Sequence, residues 1–385
     1  ILVRMVYRMT EWIECTLDKL GEIVGGATPS TKCEDYYGGS IPWITPKDLS
    51  SFKGRYITSG ERNITEKGLA SCSAQMMPKD AVLFTSRAPI GYVAIASQSV
   101  CTNQGFKSIV VNDKADPLFV YYLLKYNKDA IEAMGSGTTF KEVSGKTMRA
   151  VKVRIPLDVS YQKRIAAVLD SLDTKIENNE RINDNLLEQA SSIYQAWFED
   201  FILSDGSCPP SWKQGTLAGI ADITSGKRPP VKSAEKTDNA IIPIVGAASV
   251  MGYTTEANHT DKILVTGRVG THGVVQRFNS PCWASDNTLV ITSAFYEYTF
   301  QILQRIDYRT LNRGSTQPLI TQGDMNKVPI LIPDNETLLK FETLVGQLMK
   351  QYQVNLLEND KLAELRDALL PKLMSGEIDV SAVHF

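Results

Sequence analysis

A chain that methylates a base amine needs an Asn/Asp-Pro-Pro-aromatic clamp to hold the flipped base. The two Pro-Pro pairs present, Cys208-Pro209-Pro210-Ser211 and Arg228-Pro229-Pro230-Val231, have neither flank. A phosphate-wrapping loop needs Gly-x-x-x-x-Gly-Lys-Ser/Thr, because its backbone amides must surround the anion. Gly145-Lys146-Thr147 supplies the tail of such a loop, but Phe140 stands where the first glycine belongs. Asp158, Asp173 and Lys175 fit a nuclease pattern only if forced, since Asp173 and Lys175 fall on a long helical stretch and read there as solvated flank charges. His259, His272 and His384 lack metal-ligand spacing, and His272 within Gly270-Thr271-His272-Gly273 reads as a turn residue. Nothing marks a nucleophile. The six cysteines include no Cys-x-x-Cys pair, so no zinc knuckle is expected and reduced thiols are the default. The chain is therefore expected to be no enzyme by itself.

What the residues do offer is a set of basic side chains flanked by small polar ones in loop-like stretches. They are Lys47, Arg87, Lys107, Lys141 and Lys146 in the first part of the chain, then Lys227, Arg228, Arg268 and Arg313. Thr85 and Thr266 accompany Arg87 and Arg268. Gly137-Thr138-Thr139-Phe140-Lys141 and Arg313-Gly314-Ser315-Thr316-Gln317 occupy matching places in the two halves. Such loops bring amides and hydroxyls close to phosphate, while Asn103, Gln104 and Asn287 have the bidentate amides that read adenine edges. These residues form the candidate DNA-binding set. The competing reading makes Arg87 and Arg268 loop-holding residues and the two asparagines turn caps.

The elements that must position them are duplicated. Trp12, Thr16, Leu17, Leu20, Ile23, Gly26 and Pro29 return 200 residues later as Trp212, Thr216, Leu217, Ile220, Ile223, Gly226 and Pro229. Ile41-Pro42-Trp43-Ile44 is answered by Ile242-Pro243-Ile244-Val245, and Leu83-Phe84-Thr85-Ser86-Arg87 by Leu264-Val265-Thr266-Gly267-Arg268. Met148, Val151 and Ile155-Pro156 are answered by Met325, Val328 and Ile332-Pro333, the offset having drifted to 177. Short β-branched runs at 81–84, 92–95 and 107–111 predict strands, and 116–134 and 295–308 predict one helix in each half.

Each half then ends in a long helical stretch. Residues 162–198 lack Pro and Gly, and their apolar seam runs through Ile165, Leu169, Leu172, Ile176, Asn179, Asn183, Leu186, Ala190, Ile193 and Trp197. Adding 176 gives Phe341, Val345, Leu348, Tyr352, Asn355, Asn359, Leu362, Arg366, Leu369 and Leu373, with Pro371 predicted to end the helix. Two asparagines at the same steps of both seams predict that the helices pair with each other, since a seam amide needs a matching amide. Ile176, Asn179, Asn183, Leu186, Tyr352, Asn355, Asn359 and Leu362 are the expected pairing residues. About 36 residues make a rod of ~54 Å. Val168, Leu187, Tyr194, Phe198, Leu338 and Leu344 are expected to stay partly exposed on its outside, as a partner-binding surface.

The predicted fold class is α/β (α+β): two similar globular domains separated by a pair of long antiparallel coiled-coil helices, a pseudo-twofold tandem repeat. The segments are 1–158, 159–204, 205–334 and 335–385. Lys+Arg against Asp+Glu run 20 to 16, 4 to 8, 12 to 11 and 5 to 8 in these segments, so positive charge sits on the globular parts and negative charge on the helices. With a net charge of −2, the chain is no uniformly basic DNA-coating protein. No apolar run approaches the ~18 residues of a membrane span, and the start lacks a signal-peptide layout, so a cytoplasmic protein is expected.

This layout resembles the specificity (S) subunits of type I restriction-modification systems. The resemblance rests on the openings Trp12 to Gly26 and Trp212 to Gly226, on Thr-Ser-Arg-Ala-Pro-Ile-Gly at 85–91, and on Ile-Pro before each long helix. It also rests on the ending Leu370-Pro371-Lys372-Leu373-Met374-Ser375-Gly376-Glu377-Ile378. One departure from the repeat is that Gly91 follows Arg87 by four residues whereas Gly273 follows Arg268 by five. The resemblance implies a non-catalytic DNA-specificity subunit. Each domain would read half of a bipartite double-stranded target, and the helices would set the spacer and dock two methyltransferase (M) subunits. Restriction (R) subunits would join them. The complex would carry out adenine-N6 methylation and ATP-dependent cleavage. No cofactor is expected on this chain: S-adenosylmethionine would belong to the methyltransferase partner, and ATP and Mg to the restriction partner. The alternative class is a duplicated ligand-binding protein or enzyme with active loops at 135–141 and 313–317.

Overall fold

The structure is a computed structural model that describes residues 11–137, 141–313 and 319–383. The chain forms two compact units, one of residues 1–179 with 357–385 and the other of residues 180–356. Each unit therefore takes part of both long helices, a grouping that the four sequential segments do not anticipate.

In the first unit the central sheet has the order Gly21–Gly25, Lys107–Val111, Val82–Ser86, Ile90–Ala96, Tyr56–Ile57. A second sheet places Tyr37–Ile44 between Arg62–Ile64 and Cys101–Thr102, and a ribbon pairs Trp12–Thr16 with Lys152–Pro156. Val82–Ser86 is buried along its whole length, Thr85 and Ser86 included, which explains why its Val82-Leu83-Phe84 start does not alternate with polar residues. The predicted helix over 116–134 is two helices, Pro117–Tyr126 and Lys128–Ala133. Asp116 caps the first through the Phe119 N–H, and Asn127 breaks the run by turning its side-chain amide back onto the Leu123 carbonyl.

The second unit repeats this plan with fewer pieces. Its sheets are Asp222–Ser225, Thr288–Thr292, Ile263–Gly267, Gln276–Phe278; then Val250–Thr254, Ile242–Val245, Trp283–Ala284; then the ribbon of Lys213–Thr216 with Pro329–Ile332. The helix predicted over 295–308 stops at Arg305, and a separate turn of helix follows at Tyr308–Leu311. The strand registers define the repeat more finely than sequence matching does. Val82 pairs with Ile109 and Leu264 with Ile291, so the central strands are related by 182 residues. The bridges Arg87↔Glu142 and Val269↔Leu319 agree. Arg87 therefore corresponds to Val269, and Arg268 to Ser86. A shift of one residue turns side chains to the opposite face. It also aligns Gly91 with Gly273, both in the left-handed region at φ +100° and +84°, and so removes the apparent one-residue departure.

Two glycines of the opening motif have a shared physical cause. A Cβ on Gly26 would lie 2.1 Å from the Asn103 carbonyl oxygen, and one on Gly226 would lie 2.1 Å from that of Ser285. The next residue then bonds across the same gap, Ala27 N–H to Thr102 O at 3.0 Å and Lys227 N–H to Ala284 O at 2.9 Å.

The long helices are Val159–Phe198 and Asn335–Ser375. Within each unit they run antiparallel, since partners rise on one helix as they fall on the other. In the first unit Asp173 meets Arg366 at 2.8 Å and Asn179 Nδ2 donates to Asn359 Oδ1 at 2.8 Å. In the second unit Asn355 Nδ2 donates to Asn183 Oδ1 at 2.8 Å, and Asn183 Nδ2 to the Tyr352 carbonyl at 3.3 Å. Asn179, Asn183 and Asn355 are buried. Leu186 is buried beside Ala190, while Ile176, Tyr352 and Leu362 are half-buried.

Two expectations about these helices need correction. Pro371 does not end the second helix, which continues to Ser375 with the proline inside it. Leu373 and Met374 are buried in the first unit's core, so packing outweighs the lost hydrogen bond; the chain leaves the helix at Gly376, in the left-handed region at φ +79°. Of the apolar residues expected outside, Tyr194, Phe198 and Leu338 are buried in the second unit's core, the two aromatic ones in a ring cluster with Tyr298 and Phe341. Val168 and Leu187 pack partly against their units' cores, and Leu344 alone of the six is exposed. Among the described residues, no helix is long and apolar enough to cross a membrane.

Candidate nucleic-acid interface

In the first unit, three chain segments converge beside the end of the central sheet. Arg87 follows strand Val82–Ser86, Lys107 opens strand Lys107–Val111, and Glu142 lies in the bridge that pairs with both Arg87 and Ser136. Arg87 Nη1 and Lys107 Nζ each lie 3.5 Å from a Glu142 carboxylate oxygen. A Cβ on Gly145 would lie 3.6 Å from Arg149 Nη1 and 3.8 Å from Lys107 Cε, so Arg149 reaches the same place. Lys141 and Lys146 are exposed, Lys146 on the short helix Gly145–Ala150 whose N-cap is Ser144.

The other predicted residues of this unit are used differently. Asn103 Oδ1 accepts the Gly105 N–H at 2.8 Å and so shapes the turn. Gln104 is exposed, and its side-chain oxygen accepts the Thr28 hydroxyl. Lys47 lies on the helix Pro46–Ser50, and its ammonium meets Glu61 at 2.6 Å on the surface. Thr85 is a correction: it is fully buried, and its hydroxyl accepts the Tyr92 N–H at 2.8 Å, so it holds two strands together and presents nothing to a ligand. Thr138 and Thr139 lie outside the described residues.

In the second unit Lys227 and Arg228 are exposed just after strand Asp222–Ser225. The Lys227 carbonyl accepts the Trp283 indole N–H at 2.7 Å, as the Ala27 carbonyl accepts that of Trp43 at 3.0 Å. The two tryptophans come from non-equivalent strands, which is why sequence matching does not pair them. Arg268 is half-exposed, its N–H donating to the Asn287 carbonyl at 2.8 Å, and Asn287 is exposed. Thr266 is buried inside the sheet and, like Thr85, is removed from the surface set. Arg313 is exposed and pairs with the Asp324 carboxylate. Hydrogen bonds from Thr321, and then from Arg313, hold the Asp324 carboxyl below the usual carboxylate range. Ser315, Thr316 and Gln317 lie outside the described residues. His272 turns Nδ1 to the Gly267 carbonyl at 3.1 Å, as a turn residue does.

Sequence reasoning missed the acidic partners Glu142 and Asp324 and also Arg55. Arg55 is buried, with Asp170 at 2.9 Å, Glu177 at 3.3 Å and the Thr174 hydroxyl at 2.8 Å. On the helix, Asp173 joins Arg366 to the Tyr122 hydroxyl at 2.7 Å. Asp173 is therefore a packed pairing residue, not the solvated flank charge expected; Lys175 does sit on the surface, 3.2 Å from Glu358. An acid beside a basic loop was the available signal for Glu142; nothing in the spacing singles out Arg55. Among the described residues, no group of three or more His, Cys, Asp or Glu side chains is arranged to hold a metal.

Residues 9–188 and 209–366 match the family model of the type I restriction modification DNA specificity domain. The type I restriction enzyme MjaIX specificity subunit of Methanocaldococcus jannaschii is 33% identical over 96% of this chain and 94% of its own length. The EcoR124I/EcoR124II specificity subunit of Escherichia coli is 29% identical over 41% of this chain and 40% of that protein. Among solved structures, the S subunit of a type I restriction-modification system from M. genitalium shares the fold. Its TM-score is 0.60, over 97% of this chain and 98% of that one, at 18% identity.

Proposed function

The chain belongs to the type I restriction modification DNA specificity domain family, and from that membership we propose that it is the sequence-reading, non-catalytic subunit of a type I restriction-modification assembly. Each domain reads one half of a bipartite duplex. The observation that carries this reading is the duplication itself: two matched family domains with corresponding strand orders, each followed by a long helix. A target split into two parts calls for two reading surfaces, and phosphate contacts set their register while base contacts specify. Arg87, Lys107, Lys141, Lys146 and Arg149 supply phosphate contacts in the first domain, and Lys227, Arg228, Arg268 and Arg313 do so in the second. The exposed amides of Gln104 and Asn287 are the candidates for base edges, the Asn103 oxygen being held by its turn.

The paired helices dock two methyltransferase subunits, which bring S-adenosylmethionine and methylate adenine at N6. Restriction subunits bring ATP and Mg for cleavage, and the assembly works in the cytoplasm. Support for the division of labour is chemical: the sequence carries no base clamp and no complete phosphate loop. The test is to express the chain with the methyltransferase of its own system in a host without such systems and to map methylated adenines. A single two-part motif with a fixed gap is expected. Methylation without a motif, or a motif unaltered when the second domain is exchanged for that of a relative, would overturn the reading.

A further inference from the structure

The two cations that converge in the first domain are already occupied. Arg87 Nη1 faces one oxygen of Glu142 and Lys107 Nζ faces the other, each at 3.5 Å. A carboxylate that offers its two oxygens to two cations from separate segments copies the way a phosphate presents two oxygens. The carboxylate stands on the solvent side: the Glu142 side chain is 40% exposed, that of Lys107 16%. Its backbone is fixed independently, exchanging N–H···O bonds with Ser136 at 2.9 and 3.0 Å, so the side chain can leave without disturbing the bridge. In the second domain Leu319 holds the position equivalent to Glu142. There Arg313 is paired with Asp324 instead, so an acid restrains a candidate loop cation in both domains although the residue differs.

We infer that Glu142 is a counter-ion latch that occupies the phosphate place on Arg87 and Lys107 in the free protein and lowers sequence-independent attraction to DNA. The inference rests on the DNA-binding reading above. A duplex that engages these cations must displace the carboxylate or tolerate its repulsion, whatever its sequence. Removing the charge therefore strengthens binding where phosphate contact is the whole of the affinity.

The experiment titrates a fluorescent random-sequence duplex of about 40 base pairs with the full chain, over a range of salt concentrations. Glu142→Gln keeps the shape and the backbone bonds and removes the charge. Its expected effect is tighter binding by about three- to tenfold at low salt, the scale of two half-exposed ion pairs. The slope of log K against log salt should steepen by about 0.9, one more phosphate neutralised. Glu142→Asp keeps the charge and should stay near the wild-type slope. If Glu142→Gln leaves affinity and slope unchanged while Arg87→Gln and Lys107→Gln weaken binding, the latch is overturned and the DNA-binding face stands. If all three substitutions are neutral, the latch is overturned together with the assignment of this face to DNA.

Discussion

Gly26 and Gly226 illustrate how much a single residue type encodes here. Both are glycine because a neighbouring carbonyl oxygen sits 2.1 Å from where a Cβ would be. Alanine at either position must push a strand away, so Gly26→Ala and Gly226→Ala should each lose about 1–3 kcal/mol or more, read as a lower urea midpoint. Glu342 gives a second prediction. Its oxygens accept the Glu297 N–H at 3.1 Å and the Tyr298 N–H at 2.8 Å at the start of the helix Tyr296–Arg305. Burial nonetheless pushes its carboxyl up to about 7 from an ordinary value of 4.5. The two N–H donors and Lys262 pull it down, and the Glu297 charge adds to the rise. The folded state therefore keeps this proton where the unfolded chain has released it. The resulting stability is full below about 4.5 and is lost as pH rises through about 7. Glu342→Gln should flatten the fall in urea midpoint between pH 5 and 7; an undiminished fall would assign it to another group.

The paired helices show what an element gains from polar seam residues. In the second unit the Asn355 amide donates to the Asn183 oxygen away from water, while Gln351 donates to the Asn355 oxygen and Asn183 donates to the Tyr352 carbonyl. Asn183→Ala leaves a buried donor unpaired and should cost about 1–3 kcal/mol, whereas replacing both asparagines by leucine should cost less than the two single changes together. A double-mutant cycle with no coupling between the positions would show that the amides do not act as a pair. The same helices show where periodicity misleads. The 3-4 repeat finds the seam, yet Tyr194, Phe198 and Leu338, outside that seam, are buried because each helix also forms a wall of a globular core. Proline at 371 is a strong local stop signal, but burial of Leu373 and Met374 carries the helix past it. Register is a similar matter: identity placed Arg268 opposite Arg87, and strand pairing moved it by one residue.

For the whole molecule, the helix pairing yields a prediction about function. Seam partners at 179 with 359 and 183 with 355 mean that insertions after Arg181 and after Leu356 fall at the same level. Seven residues added at both places keep each seam in phase and lengthen the pair by ~10 Å, about three base-pair steps of duplex. Methylation mapping should then report the same two half-sites with a gap about three base pairs longer; an unaltered gap would deny the helices any role as a ruler. The duplication, the mixed α/β character, the helices and their asparagine seam were legible in the sequence alone, because repeated identities, apolar periodicity and glycine placement are properties of the chain's own order. Which basic residues face solvent and which are held was not legible. Thr85 and Thr266 went into the sheets, Asn103 into a turn, and Arg87 and Lys107 onto Glu142. Those outcomes depend on strand register and on residues far apart in the chain meeting through space, and only the tertiary structure brings them together.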